Sequence, residues 1–246
     1  MNYNWNWSVF WDPAPDGTGT YLYTLIRGLY WTIGLSVLAW IIALVLGVMI
    51  GVLRTSRIHW LEKLCAGYVE IFRNIPLLVQ MFLWYFVIPE LVPDRLGDVI
   101  KSADPVWSTF WTAVICLGLF TSSRIAEQIR AGINSLPVGQ TLAGTALGLT
   151  RPQVYRYILL PITARIIMPP LTSEALNLIK NSSIAFTIGL LEITGIARSM
   201  QEFTFQIFES FAAATVLYLA VNAVVVVLMR YIEKWMSVPG FIGTKG

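Results

Sequence analysis

The chain has 246 residues, 56% apolar and only 13% charged, with a mean hydropathy of +0.66. That is far from a soluble domain, where about a quarter of residues are charged. A net charge of +3, scattered and without a Lys/Arg run, excludes a nucleic-acid surface, and the length holds about five membrane spans of roughly 20 residues with little left for an extramembrane domain.

The start, MNYNWNW, has no basic segment and reads as mature chain rather than a cleaved signal. Gly28 to Leu53 carries no charge and, with its flank, gives a first span over about 24–53. Asn74 to Pro89 is uncharged for too short a stretch to cross at about 1.5 Å per residue. The second span is therefore placed at 62–88 and takes Glu70 and Arg73 into or beside the membrane, where their i, i+3 spacing lets them pair. The third, 105–130, runs from Pro105 through apolar residues into the stripe Arg124, Glu127, Arg130. The fourth, 163–191, is broken by Glu174, Lys180 and the pair Pro169, Pro170, which predicts a kinked or interrupted helix. Ser210 to Met229 is uninterrupted and gives a fifth span over 210–232. Cys65 and Cys116 lie in separate apolar regions and form no metal spacing with the lone His59, so they read as free thiols, and neither metal nor cofactor is expected.

Five spans put the termini on opposite sides, and loop cations orient them. Arg54, Arg57 and Lys63 mark the first loop as cytoplasmic; Arg130, Arg151, Arg156 and Arg165 mark the third. The second loop is mixed in charge and the fourth holds Arg198 as its cation, so both are external. The expected fold is thus an all-α membrane protein with the N-terminus outside and the tail, with Arg230, Lys234 and Lys245, inside.

The third loop, 137–161, is long enough to fold. Leu142, Ala146 and Leu149 recur at helical spacing, and Gly144 and Gly148 are expected on that same helix. Each glycine costs a helix about 1 kcal/mol relative to alanine, so the pair asks for a close approach of another surface. Thr150, Arg151, Pro152, Gln153 reads as a capping box opening a second short helix toward Pro161. A hairpin packed on its own membrane core and a hairpin docked against another protein fit the spacing equally.

These residues resemble the membrane permeases of ABC importers, whose signature is an EAA loop with a glycine four residues after its second alanine and a hydrophobic end closed by proline. Leu142, Ala143, Gly144, Gly148 and the run Ile158, Leu159, Leu160, Pro161 occupy that pattern. The acidic residue of the motif is Leu142 here and the second alanine is Gly144, so the ionic contact that the glutamate makes in relatives is not available. EIFRNIPLLVQMFLWYFVIP (Glu70 to Pro89), EQIRAGINSLPVGQ (Glu127 to Gln140) and LIKNSSIA (Leu178 to Ala185) are similar to the polar amino-acid uptake subfamily, and the whole chain is similar to its glutamate/aspartate permeases. The resemblance implies an inner-membrane protein that imports acidic amino acids by alternating access. A separate ABC ATPase dimer, a second and usually different permease chain, and a periplasmic substrate-binding protein are the implied partners. It places ATPase coupling on Gly139, Gln140, Ala143, Gly144 and Gly148, with Gly148 the mechanical contact. In agreement, no G-x-x-x-x-G-K-[ST] phosphate loop occurs.

A charge near the bilayer centre costs at least about 2.5 kcal/mol, so polar residues there need a partner or a role. Lys180 has Glu174 six residues away, off its helical face; it either attracts a substrate carboxylate or binds helix carbonyls. Arg73, Gln80, Asn177, Lys180 and Ser183 are the candidate pathway residues. Two other classes compare poorly. An intramembrane serine protease needs a histidine at membrane depth, and His59 sits in a cytoplasmic loop. An ion-driven secondary carrier fits the broken fourth span but lacks the two related halves such folds show.

Overall fold

The computed structural model describes residues 3–56 and 58–236, and among them every regular element is helical. Two long helices form the centre. Thr20 accepts from the Tyr23 N–H and opens α1 (Tyr21–Leu53), while Asp104 accepts from the N–H groups of Val106 and Trp107 and opens α6 (Pro105–Asn134). Along α1, Leu35, Ala39, Ala43, Gly47 and Gly51 recur every fourth residue and lay a buried, mostly small-residue seam on one face. The two backbones meet there: a Cβ on Gly47 would stand 2.7 Å from the Cβ of Ile125, and one on Gly51 2.6 Å from that of Ile129. Gly118 answers from α6, where a Cβ would meet Ile42 at 2.8 Å.

The partners Gly34 with Phe110, Ile42 with Gly118, Gly47 with Ile125 and Gly51 with Ile129 rise together, so α1 and α6 run parallel. Parallel neighbours in one chain need a return between them. It is made by α2 (His59–Asn74), α3 (Leu77–Phe82), a π-helical turn Leu83–Val87 and α4 (Ile88–Leu91). This stretch is not the single helix expected over 62–88. It bends by 103° between α2 and α3, because Pro76 drives Ile75 into an extended conformation (ψ 127°). The Gln80 side chain closes the break, its Nε2 donating to the carbonyls of Phe72 and Ile75 at 2.8 Å each. A short amphipathic α5 (Asp94–Ser102), tied to α4 by Lys101 on Glu90 at 2.7 Å, leads into α6.

After α7 (Val138–Ala146) and α8 (Arg151–Val154), a π-helical turn leads into α9 (Leu160–Asn181) and a 3-10 turn Ser182–Ile188. α9 lies antiparallel to α6, with Thr163 and Ile167 against Gly132 and Glu174 against Arg124. The helix is not interrupted at Pro169 and Pro170: both sit inside α9, where the flanking turns carry it past two missing donors. The direction changes further on. Gly189, at φ +95°, ends the 3-10 turn, and α10 (Ile193–Thr204) leaves at 49°. α11 (Ile207–Met236) then runs back along α9, so that Met229 joins Leu159 and Ile167 in one buried cluster. At its other end Glu209 accepts from Tyr3 and from the Asn6 N–H, holding the N-terminal segment. Its outward face, with Val216, Leu219, Val224, Val227 and Leu228 exposed, suits a hydrocarbon surrounding and not water.

Among the described residues three helices, α1, α6 and α11, are long and apolar enough to cross a membrane, and up to five crossings result if each bent pair counts as one. Cys65 and Cys116 are free and buried in separate clusters.

Candidate functional site

The hairpin between α6 and α9 begins with Pro137, whose missing N–H is harmless at a helix start, and α7 follows. Gly148 does not share that helix with Gly144, contrary to expectation. It stands past the end at φ +83°, with its N–H on the Thr145 carbonyl at 3.0 Å and the Leu149 N–H on the Gly144 carbonyl at 3.1 Å. This pair of bonds is a Schellman ending, which favours glycine for its left-handed conformation. A Cβ on Gly148 would meet nothing within 4 Å, so no neighbouring surface in the chain dictates that glycine. Gly144 is the close-approach glycine: a Cβ there would stand 2.7 Å from Ile158 and 3.1 Å from Val154. α7 therefore rests on the returning helix.

The opposite face of α7 is open. Gly139 and Ala143 are exposed and Gln140 is half-buried, while Leu142 and Leu147 are 62% and 82% exposed beside an equally exposed Val138. Gln153 reaches back as the capping box requires, its Oε1 accepting from the Thr150 N–H at 2.8 Å and hydroxyl at 2.9 Å. The Tyr155 hydroxyl donates to the Thr55 carbonyl at 2.6 Å and so ties the hairpin to the end of α1. Between the hairpin and the ends of α1 and α6 lies a cavity of about 350 Å³.

Beside it, Glu127 on α6 accepts from Arg54 at the end of α1 and from Arg130 one turn on. Arg73 lies 3.9 Å from the same carboxylate. The pairing of Arg73 with Glu70 expected from their spacing is not made: α2 packs on α6 with Arg73 near Glu127, and Glu70 is exposed. Arg124 holds Glu174 at 2.7 Å, and Gln128 adds a bond of 3.2 Å. Glu174 is thus spent on α6 and is unavailable to Lys180.

Lys180 is exposed and makes no ion pair among the described residues; Asn177 and Ser173 precede it on the same face of α9 at helical spacing. The Ser183 hydroxyl donates to the Lys180 carbonyl at 2.7 Å, and the Gln80 amide nitrogen is committed to the α2–α3 break. Of the five candidate pathway residues, Arg73 belongs to the Glu127 cluster, while Gln80 sits on α3, which packs against the 3-10 turn of Ser183 at the end of α9 where Asn177 and Lys180 stand.

Sequence reading missed a carboxylate. Glu192 is fully buried at the start of α10, where it accepts from the N–H groups of Thr194 (3.0 Å) and Gly195 (2.9 Å) and from the Tyr218 hydroxyl (2.7 Å). Thr32 of α1 completes the knot, its hydroxyl accepting from the Ile193 N–H at 3.2 Å. An acidic residue one position before a helix was a visible cap signal, but Tyr218 and Thr32, single polar residues in apolar runs, gave none.

With this geometry in place, residues 43–238 match the family model described as binding-protein-dependent transport system inner membrane component. The chain belongs to that family. It is an inner-membrane component of a transport system served by a substrate-binding protein, and this membership overturns the ion-driven secondary carrier as an alternative. The chain is 47% identical to the glutamate/aspartate import permease protein GltJ of Escherichia coli K12, over all of both chains. It is 31% identical to a probable amino-acid permease, YxeN, of Bacillus subtilis over 88% of this chain and 92% of that one. Among solved structures, the crystal structure of an amino acid ABC transporter with histidines superposes with a TM-score of 0.73 at 28% identity, covering 87% of this chain and 94% of that one. The inward-facing MetNI methionine ABC transporter shares the fold, with a TM-score of 0.72 at 18% identity over 88% and 98% of the two chains.

Proposed function

We propose that this chain is one permease subunit of an ATP-driven importer of acidic amino acids, with glutamate and aspartate as substrates. The observation that carries the reading is the 47% identity to a glutamate/aspartate import permease over the full length of both chains. The partners are an ATPase dimer, a second permease chain and a periplasmic binding protein.

In this reading the chain crosses five times, N-terminus outside, over about 24–53, 62–88, 105–130, 163–191 and 210–232. The parallel run of α1 and α6 supports it, since a crossing must lie between them, and so does the antiparallel run of α9. The hairpin 137–161 is cytoplasmic and couples to the ATPase through Gly139, Gln140 and Ala143, with the exposed Leu142 and Leu147. Gly144 and Gly148 shape the hairpin, the first by letting α7 seat on the returning helix and the second by turning the chain. Seated on the start of the long α8–α9 run and tied by Tyr155 to Thr55, the hairpin moves two crossings when it is pushed. Arg73, Asn177 and Lys180 offer polar groups to a passing carboxylate, with Gln80 and Ser183 supporting the backbone around them.

Uptake of labelled glutamate and aspartate in a strain without its own acidic amino-acid importers tests the function. Uptake is expected only when ATPase, binding protein and both permeases are present together; uptake of neutral or basic amino acids instead would overturn the substrate assignment. Topology is tested by outside labelling of single cysteines in spheroplasts. Gly17→Cys is expected to react and Thr150→Cys is not, and the opposite pattern would invert the orientation.

A further inference from the structure

The hairpin is purely cationic. From Ser135 to Pro161 it carries Arg151 and Arg156 and no carboxylate, and the position where the family motif has glutamate is Leu142. Arg156 is exposed, with its guanidinium carbon 5.8 Å from the centre of the Tyr157 ring, and it does not line the cavity beside α7. Arg151 is exposed and forms no ion pair among the described residues. It lines the cavity of about 350 Å³ together with Thr141, Leu142 and Thr145 of α7 and Thr55 and Ser56 beyond α1. No carboxylate is among the residues lining that cavity.

Arg151 is also the first residue of α8, the start of the helical run that continues into α9. A cation there opposes the positive end of the helix dipole and is unfavourable for the helix itself. Residues of the opposite charge are favoured at that position, so local structure gives no reason for arginine. General retention of cations in a cytoplasmic loop accounts for a positive charge somewhere in the hairpin. It does not select the helix start, where positive charge costs most, nor the wall of a cavity beside the exposed face of α7.

We propose that Arg151 receives a carboxylate side chain of the ATPase subunit, which enters this cavity as Leu142 and Leu147 settle into an apolar groove. The inference rests on the docking reading above and adds the sign of the contact. Where the motif glutamate makes its ionic contact in relatives, this chain presents a cation about one helical hairpin away, and its ATPase is complementary with an acidic residue at the rim of the groove. The hydroxyls of Thr141 and Ser56 on the same cavity wall suit a carboxylate oxygen.

The test uses the complete complex, purified through a tag on this permease, with the retained ATPase measured across a salt series. Arg151→Gln is expected to weaken ATPase retention about threefold to fivefold, the range of a partly exposed ion pair. Arg151→Glu is expected to weaken it further, and both should flatten the salt dependence of retention. Arg151→Glu favours the helix start, so an unchanged yield of folded permease is expected. A charge-reversal screen of surface Asp and Glu to Lys in the ATPase should return retention to Arg151→Glu at one position. Leu147→Asp is the control for docking. If it releases the ATPase while both Arg151 variants retain it at the parental level and salt dependence, the ionic contact is overturned and docking stands. If Leu147→Asp also retains the ATPase, docking by this face fails and the inference fails with it.

Discussion

Two buried or half-buried carboxylates tie the bundle together at two levels, and they are held in opposite ways. Glu127 is fixed by charge, between Arg54 and Arg130, with Arg73 close by, where the ends of α1, α2 and α6 meet. Glu192 is fixed by neutral donors, two backbone N–H groups and the Tyr218 hydroxyl, where α1, α10 and α11 meet. Thr32 and Arg54, their partners on α1, are separated by about 33 Å at 1.5 Å per residue, close to the thickness of a hydrocarbon core. An arrangement of long, flexible arginines around a partly exposed acid can exchange partners. A capped helix start with a fully buried acid cannot, because any separation leaves a polar group dry. The charged end therefore suits a level that rearranges beside the α7–α8 hairpin, and the neutral knot suits a level that stays closed.

The largest expected effect lies in the knot. Glu192→Ala removes the cap of α10, typically about 1 kcal/mol, and leaves the Thr194 and Gly195 N–H groups in a dry site without their acceptor, at about 1–3 kcal/mol more, while the Tyr218 hydroxyl keeps Thr194. Thermal unfolding in detergent should show a large loss that 0.5 M NaCl does not alter. A variant as stable as the parent would mean that the knot does not hold α10.

Glu127→Gln comes next. It leaves Arg54, only 14% exposed, without a charged partner, and a loss of about 1–2 kcal/mol is expected from a hydrogen bond to a charged group. Here salt should matter, since at 1 M the screening length falls to about 3 Å. The gap between parent and variant should narrow with added salt, and a gap that does not narrow would remove the contrast with Glu192.

What was legible in the chain follows the range of the interactions. The all-α, apolar character of the chain and the helices on either side of Gly148 depend on runs of residues, so composition and spacing exposed them. The capping box at Thr150 and Gln153 was legible for the same reason. Two local readings went wrong where tertiary geometry decided. Pro169 and Pro170 looked like the break in the apolar stretch 163–191, yet α9 runs through both, and the chain turns by 49° after the less conspicuous Gly189. Gly144 and Gly148 looked equivalent, but one answers to a neighbouring side chain and the other to its own backbone. The Glu192 knot joins residues from three helices, Thr32, Glu192 and Tyr218, and no local pattern relates them.

The smallest stability effect is expected at Arg73, and it sharpens the comparison by asking which cation of the Glu127 cluster is spare. Its guanidinium stands 3.9 Å from the carboxylate, beyond a hydrogen bond, and is 47% exposed, whereas Arg54 and Arg130 both bond Glu127 directly. A contact of that kind contributes about 0–1 kcal/mol. Arg73→Gln should therefore change thermal stability little and leave the complex assembled. Its charge is not needed to hold the fold, which leaves it available to a substrate carboxylate. Uptake at low glutamate should then fall, through a raised KM, while Lys180→Met behaves in the same way from α9. Undiminished uptake in both variants would return Arg73 and Lys180 to structural roles and move the pathway to the partner chain. A large stability loss in Arg73→Gln would instead show that Glu127 needs all three cations, and that this end of the bundle is as tightly fixed as the other.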